Sequence, residues 1–141
     1  MVSVDGFEEH RSGLILLTPI EAALAKLGYA ERSDVGILIE GWPVQFLPAA
    51  SALDEEALSQ AGEVEFLVGE GPAVRARILR AEHVVATALK LGRLKDLARV
   101  EAFLEQGAVD LAKLKAVLER HDLMPAWRIF LLKSGRPETL S

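Results

Sequence analysis

The sequence predicts an α+β protein in which a small mixed sheet is followed by a C-terminal helical cap. Between residues 35 and 79, short apolar runs come in pairs that are separated by glycine-containing turns, as in antiparallel hairpins. From Ala81 onward, apolar residues recur at helical spacing instead. We therefore divide the chain into a sheet subdomain, residues 1–79, and a helical subdomain, residues 80–141.

The first elements are a helix and a hairpin. Thr18 is a plausible N-cap for a helix over Pro19–Leu27, because proline favours the first helical position. Two strands follow, Val35–Ile39 and Trp42–Leu47. The Glu40-Gly41 pair between them is a tight-turn signal, so we expect an antiparallel hairpin. We expect Trp42 to pack at the mouth of this hairpin, since large aromatic side chains usually fill cores. The alternative is that Trp42 and Pro43 form a wall on which a base stacks.

A further helix and a second hairpin complete the predicted sheet subdomain. Ser51 followed by Asp54 is a helix-start signature, and that helix should reach about Ala61. The second hairpin then pairs Val64–Val68 with Ala73–Leu79. After the second hairpin, Gly92 and Gly107 are typical C-terminal caps and predict helix ends. The predicted helices of the cap are Ala81–Leu91, Leu94–Gln106, Asp110–His121 and Pro125–Lys133.

Composition restricts the class of protein. Hydrophobic residues make up 50% of the 141, which is enough for a core. The chain has no cysteine, so disulfides and thiolate metal sites are excluded. No apolar run approaches the roughly 20 residues of a membrane span, and the acidic N-terminus does not resemble a signal peptide. We expect a cytoplasmic, bacterial-type protein without a membrane partner.

Charge is distributed unevenly along the chain. Residues 1–79 carry 5 Lys/Arg against 13 Asp/Glu, whereas residues 80–141 carry 11 against 8, and the net charge is −5. This asymmetry would orient an anionic ligand toward the second half. The alternative is that long helices simply carry more Lys and Arg on their solvated faces. The acidic total does not favour a nucleic-acid partner.

Two segments carry a resemblance to a known family. They are the run Ile39–Pro48 and the later run that contains Ala81-Glu82-His83, Lys90, Gly92-Arg93-Leu94-Lys95-Asp96 and Arg99-Val100. Together they resemble the second half of bacterial nucleotidyltransferase-like proteins of the abortive-infection and minor nucleotidyltransferase type. The resemblance spans roughly residues 12–131. The family's catalytic signature, a Gly-Gly/Ser turn followed by Asp-x-Asp, lies before this part, and the chain begins at or just after that place.

The resemblance implies nucleotide transfer from an Mg²⁺-bound NTP to a protein, RNA or small molecule. Such transfer needs carboxylates that hold the metal. Asp5 is the candidate metal ligand, whereas Ser3 stands where the family's first aspartate would be. Gln45 stands where many nucleotidyltransferases have a third acid, and a neutral amide is a poorer ligand for a hard dication. No catalytic residue can be named, and we expect the chain to be weak or inactive as an enzyme.

Four cations surround the helix break near Gly92, and they suggest a nucleotide site. We expect Lys90, Arg93 and Lys95, together with Gln45, to contact the nucleotide, because a helix start also offers free N–H groups to an anion. The alternative is structural: Asp96 and Arg99 are three apart on one helix and can form a pair.

The second hypothesis is a non-catalytic interaction module. An antitoxin-like partner or a dimerising subunit would use an exposed strand edge, which favours pairing with another chain. Two sequence pairs, Arg77 with His83 and Arg120 with His121, also invite comparison with the Arg-x(4–6)-His motif of the small helical nucleases that partner nucleotidyltransferases. The match to that motif is close to chance.

Overall fold

The computed structural model describes residues 17–34, 36–67 and 69–136. It has six helices and two antiparallel two-stranded sheets within those ranges, which confirms an α+β fold with a helical C-terminal part. The chain forms two compact units, Met1–Ala50 and Ser51–Ser141. This division lies before the boundary at residue 79 that the sequence suggested, so the second hairpin belongs to the same unit as the C-terminal helices.

The first unit contains α1 (Thr18–Lys26), β1 (Ile37–Ile39) and β2 (Trp42–Val44). Leu17, not Thr18, occupies the N-cap position of α1, and it makes no side-chain cap. The hairpin was predicted correctly, and its turn has positive φ angles of 50° at Glu40 and 81° at Gly41. Two successive positive φ values are typical of the turn that matches the twist of paired strands.

Both strands of this hairpin are shorter than predicted, and Trp42 does not pack as expected. The Trp42 side chain is 75% exposed, so the prediction that it fills a core is wrong. Trp42 is the first residue of a three-residue strand, and it pairs with Ile39 next to the turn of the hairpin. A side chain at such a position has few neighbours on its own sheet, because the sheet ends there.

The second unit begins with α2 (Ala52–Ser59), which has the predicted N-terminal signal. The Ser51 hydroxyl accepts a hydrogen bond from the backbone N–H of Asp54, and the Asp54 carboxylate accepts one from the backbone N–H of Ser51. This reciprocal arrangement is a capping box. The hairpin β3 (Gly62–Phe66) and β4 (Val74–Ile78) follows.

Four helices complete the second unit. They are α3 (Ala81–Leu91), α4 (Leu94–Glu105), α5 (Leu111–Arg120) and α6 (Met124–Lys133), and every bound lies within one residue of the prediction. Gly92 ends α3 with a φ of 65°, a left-handed conformation that glycine adopts at low cost. Asp110 caps α5 as expected, since its carboxylate accepts a hydrogen bond from the backbone N–H of Lys113.

The core of the second unit lies around α3, which packs against α2, α4, α5 and α6. Burying a large apolar side chain contributes about 1.5–3 kcal/mol, so side chains of this kind dominate the stability of the unit. Trp127 and Phe130 stack with ring centroids 5.7 Å apart. The buried apolar side chains are Leu53, Val85, Ala86, Ala88, Leu89, Val100, Leu114, Val117, Leu118, Trp127, Phe130 and Leu131.

No helix in the part of the chain that the structure describes has the length and apolar character needed to cross a membrane.

Candidate functional site

The junction between α3 and α4 brings three of the predicted nucleotide-binding residues together. Lys90 lies in the last turn of α3, Arg93 is the N-cap residue of α4, and Lys95 lies in the first turn of α4. All three are exposed. Among the described residues, neither lysine forms a salt bridge.

Arg93 has a structural partner at this junction. Its Nε donates a 2.6 Å hydrogen bond to Oδ2 of Asp96, and a terminal nitrogen lies 3.3 Å from Oδ1. Asp96 is fully buried, and the Arg93 guanidinium lowers the pKa of its carboxyl group. The predicted pair of Asp96 with Arg99 is longer, at 3.9 Å. Arg93 therefore stabilises a buried charge, and the two lysines are the cations of the junction that form no salt bridge with any described residue.

Gln45 belongs to the first unit, whereas the three cations belong to the second. It follows β2 and is exposed at the edge of a pocket of about 280 Å³, which Glu21 and Arg32 also line. Those two side chains form a salt bridge of 2.9 Å. Asp5, the predicted metal ligand, lies outside the described residues.

The described residues contain no group of three or more His, Asp or Glu side chains that could hold a metal ion. The expectation of Mg²⁺ rests on Asp5 and on the resemblance, and it stays a prediction.

A second polar cluster was not foreseen from the sequence. Glu56, on α2, lies at its centre. Its Oε2 is 3.0 Å from Nε2 of His83 and 3.1 Å from Nε2 of His121, while its Oε1 accepts a 2.8 Å hydrogen bond from Nε of Arg120. The cluster thus joins α2 to the first turn of α3 and to the end of α5. We call these four residues the Glu56 cluster.

The Glu56 carboxylate is ionised over nearly the whole pH range. The hydrogen bond from Arg120 lowers its pKa to about 2, and those from His83 and His121 add to this effect against the cost of burial. An ionised carboxylate only accepts hydrogen bonds, so both histidines must donate through Nε2–H. A neutral His83 ring then carries its free lone pair on Nδ1. That atom is buried and has no hydrogen-bond partner within the described residues.

A cleft of about 490 Å³ adjoins this cluster. It is bordered by the end of α2, the first turn of α3 and one face of α5. Three cations and one acid, Glu82, are among its lining residues. The lining residues are Ser59, Gln60, Ala61, Arg80, Glu82, His83, Lys113, Ala116, Val117 and Arg120.

The two residue pairs that suggested a nuclease motif differ in their contacts. Arg77, on β4, donates a 2.7 Å hydrogen bond to the carbonyl of Leu58, whereas His83 contacts Glu56. Arg120 and His121 do act together, but on Glu56. Glu56 is 27 residues from His83 and 65 from His121, and no spacing rule links positions so far apart.

Comparison with protein-family models, with curated proteins and with solved structures gave no match. The resemblance to nucleotidyltransferases therefore stays a prediction, and the functional argument depends on the geometry.

Proposed function

We propose that the chain is a nucleotidyltransferase-like protein that binds the phosphates of an NTP at the α3–α4 junction, with Lys90 and Lys95 as the phosphate contacts. The observation that carries this proposal is that both lysines are exposed without a salt bridge among the described residues, beside a junction that the Arg93–Asp96 pair holds in place. The resemblance to nucleotidyltransferases suggests that the ligand is an NTP, because Lys90 and Lys95 lie in one of the two segments that carry this resemblance.

The physical basis of the proposal is electrostatic. Lys95 lies in the first turn of α4, where the helix dipole and the free backbone N–H groups also favour an anion. Mg²⁺ would accompany the NTP and neutralise charge on its phosphates. Gln45 replaces an acid with a neutral amide, so nucleotide transfer by this chain is expected to be weak or absent.

A titration of the full chain with Mg²⁺ and each NTP, followed by backbone amide NMR, tests this function. Saturable shifts should appear at Lys90 and Lys95. Lys95→Gln should weaken the binding of nucleotide. Lys133 is an exposed cation at the end of α6, and Lys133→Gln should leave the binding of nucleotide unchanged. If millimolar nucleotide produces no shifts at the junction, the nucleotidyltransferase-like function is excluded for this chain.

The alternative, a dimerising interaction module, is favoured by the β3–β4 hairpin. One face of this hairpin is apolar, yet Phe66, Val74 and Ile78 are 44, 49 and 45% exposed. The other face is charged and includes a salt bridge between Glu65 and Arg75. Packing the apolar faces of two copies together would remove apolar area from water and leave both charged faces solvated.

Light scattering over a range of concentrations tests the dimer. Phe66→Ser should shift the chain toward monomer, whereas Arg75→Gln, on the opposite face, should not. If the chain is monomeric at all concentrations, the apolar face of the β3–β4 hairpin does not bind a second copy.

A further inference from the structure

We propose that the cleft next to the Glu56 cluster binds a small phosphate-bearing ligand with a neighbouring hydroxyl group, such as a sugar phosphate or a nucleoside monophosphate. This site is separate from the α3–α4 junction. The cleft lies at the start of α3 and the junction at its end, about 16 Å apart along an 11-residue helix.

The three cations of the cleft are positioned by their own contacts. Nε of Arg80 donates a 2.8 Å hydrogen bond to the carbonyl of Gln60, and Nε of Arg120 donates one of 2.8 Å to Glu56. In both cases the terminal guanidinium nitrogens have no hydrogen bond within the described residues. Such a fork fits the paired oxygens of a phosphate. Lys113 lies 3.9 Å from Asp110 and is largely exposed, so it remains able to reach a ligand.

The one acid among the described residues that line the cleft, Glu82, already has a hydrogen-bond partner. Glu82 accepts a 2.9 Å hydrogen bond from the backbone N–H of Asp110, which fixes its carboxylate at the start of α5. Among the described charged side chains that line the cleft, three are cations and one is an acid. Glu56, which does not line it, offsets the charge of Arg120, so Arg80 and Lys113 are the main attraction for an anion. The first turn of α3 also borders the cleft, and the positive end of the helix dipole favours an anion there.

His83 supplies the independent observation that points to a ligand. Its side chain is only 2% exposed, it lines the cleft, and its Nδ1 has no partner among the described residues. Buried polar atoms without a partner are rare in folded proteins and often mark functional sites. With Nε2 engaged by Glu56, Nδ1 is the ring nitrogen left for a ligand, and a hydroxyl group can serve it either as donor or as acceptor.

The dimensions favour a small molecule over a nucleic acid. A volume of about 490 Å³ is in the range of small-ligand sites. The chain carries a net charge of −5, whereas binding to a phosphate backbone depends on an extended surface of cations.

Calorimetry and amide NMR on the full chain without Mg²⁺ test the site, with inorganic phosphate, ribose, ribose 5-phosphate and AMP as probes. We expect saturable shifts at Arg80, His83, Lys113 and Arg120, together with a change in the ¹⁵N shift of the His83 Nδ1 atom. Ribose 5-phosphate should bind more tightly than phosphate or ribose alone. Tighter binding of AMP would identify a nucleoside monophosphate as the ligand, and equal binding a sugar phosphate.

A pair of variants on one helix provides the matched control. Lys113→Gln should weaken binding about five- to tenfold through loss of one charge-assisted contact. Lys115→Gln removes an exposed charge two residues away that does not line the cleft, and it should have no effect. Both side chains are exposed, so folding should not be impaired. Lys95→Gln should also leave this site intact, which separates it from the NTP site.

The proposal is overturned if millimolar ribose 5-phosphate produces no saturable shifts at the cleft. It is also overturned if Lys113→Gln and Lys115→Gln weaken binding equally, since that would indicate only general attraction between charges. Binding of ribose as tight as that of ribose 5-phosphate would exclude the phosphate contact.

Discussion

His83 and His121 share one acceptor: their Nε2 atoms lie 3.0 and 3.1 Å from the same oxygen, Oε2 of Glu56. His83 is in the first turn of α3 and His121 follows the last turn of α5. Glu56 therefore connects α2 to two helices of the C-terminal part through a single carboxylate. Charge-assisted hydrogen bonds of this kind are about twice as strong as neutral ones.

Replacing this carboxylate should destabilise the second unit. Glu56→Gln keeps the size of the side chain but removes its charge, so Arg120 and the two histidines lose an ionised acceptor. We expect the free energy of unfolding at neutral pH to fall by about 2–3 kcal/mol. Urea denaturation followed by circular dichroism measures the change. Glu55→Gln, an exposed neighbour on α2, is the control and should change stability by less than about 0.5 kcal/mol.

The same carboxylate should make stability depend on pH in a defined window. The pKa of Glu56 is about 2 in the folded protein and 4.5 ordinarily, so below pH 4.5 the unfolded chain binds the proton first. The stabilisation, about 3 kcal/mol, is fully present above pH 4.5 and is lost as the pH falls toward 2. The difference in stability between the wild-type protein and Glu56→Gln should therefore shrink across this window. A constant difference from pH 7 to pH 2 would contradict the assignment.

Local signals predicted most of the fold, and long-range partners were what the sequence could not supply. The capping box at Ser51, the cap at Asp110 and the glycine at position 92 each depend on neighbours within a few residues, and all three were predicted correctly. The Glu56 cluster depends on contacts over 27 to 65 residues, which arise only when helices pack.

Partial success at the α3–α4 junction has a different cause, because both candidate partners of Asp96 are three residues away from it. The sequence placed Asp96 and Arg99 on one helix and predicted their pairing, but Arg93, before the helix, is the closer partner. Helical spacing identifies partners within a helix and not those at its cap. Trp42 shows a different limit, because a side chain can be large and aromatic without a neighbouring element to cover it.

The two arginines around Asp96 should differ in their importance. Arg93→Ala removes the 2.6 Å contact of a fully buried carboxylate, whereas Arg99→Ala removes one of 3.9 Å. We expect Arg93→Ala to lower the thermal midpoint by about 5 °C or more and Arg99→Ala by clearly less. Differential scanning calorimetry provides the comparison. The reverse order would mean that Arg99 is the main partner of Asp96.

Core packing around α3 and α5 should be sensitive to truncation at Leu118, which is fully buried. Leu118→Ala removes apolar contacts and leaves a cavity, so we expect a loss of about 2–5 kcal/mol in the free energy of unfolding. Leu132→Ala is the matched control, because the Leu132 side chain is 66% exposed and its truncation should cost much less. Chemical denaturation of both variants tests this contrast.

The two tryptophans should report separately on the two units. Trp42 is 75% exposed in the first unit, whereas Trp127 is 4% exposed and stacks on Phe130 in the second. Trp42→Phe should therefore remove the red-shifted emission that iodide quenches, and the remaining Trp127 emission should be blue-shifted and protected. Trp127→Phe should give the opposite spectrum. Strong iodide quenching of the emission that remains in Trp42→Phe would show that the stacked pair is open to solvent, contrary to the packing of α6.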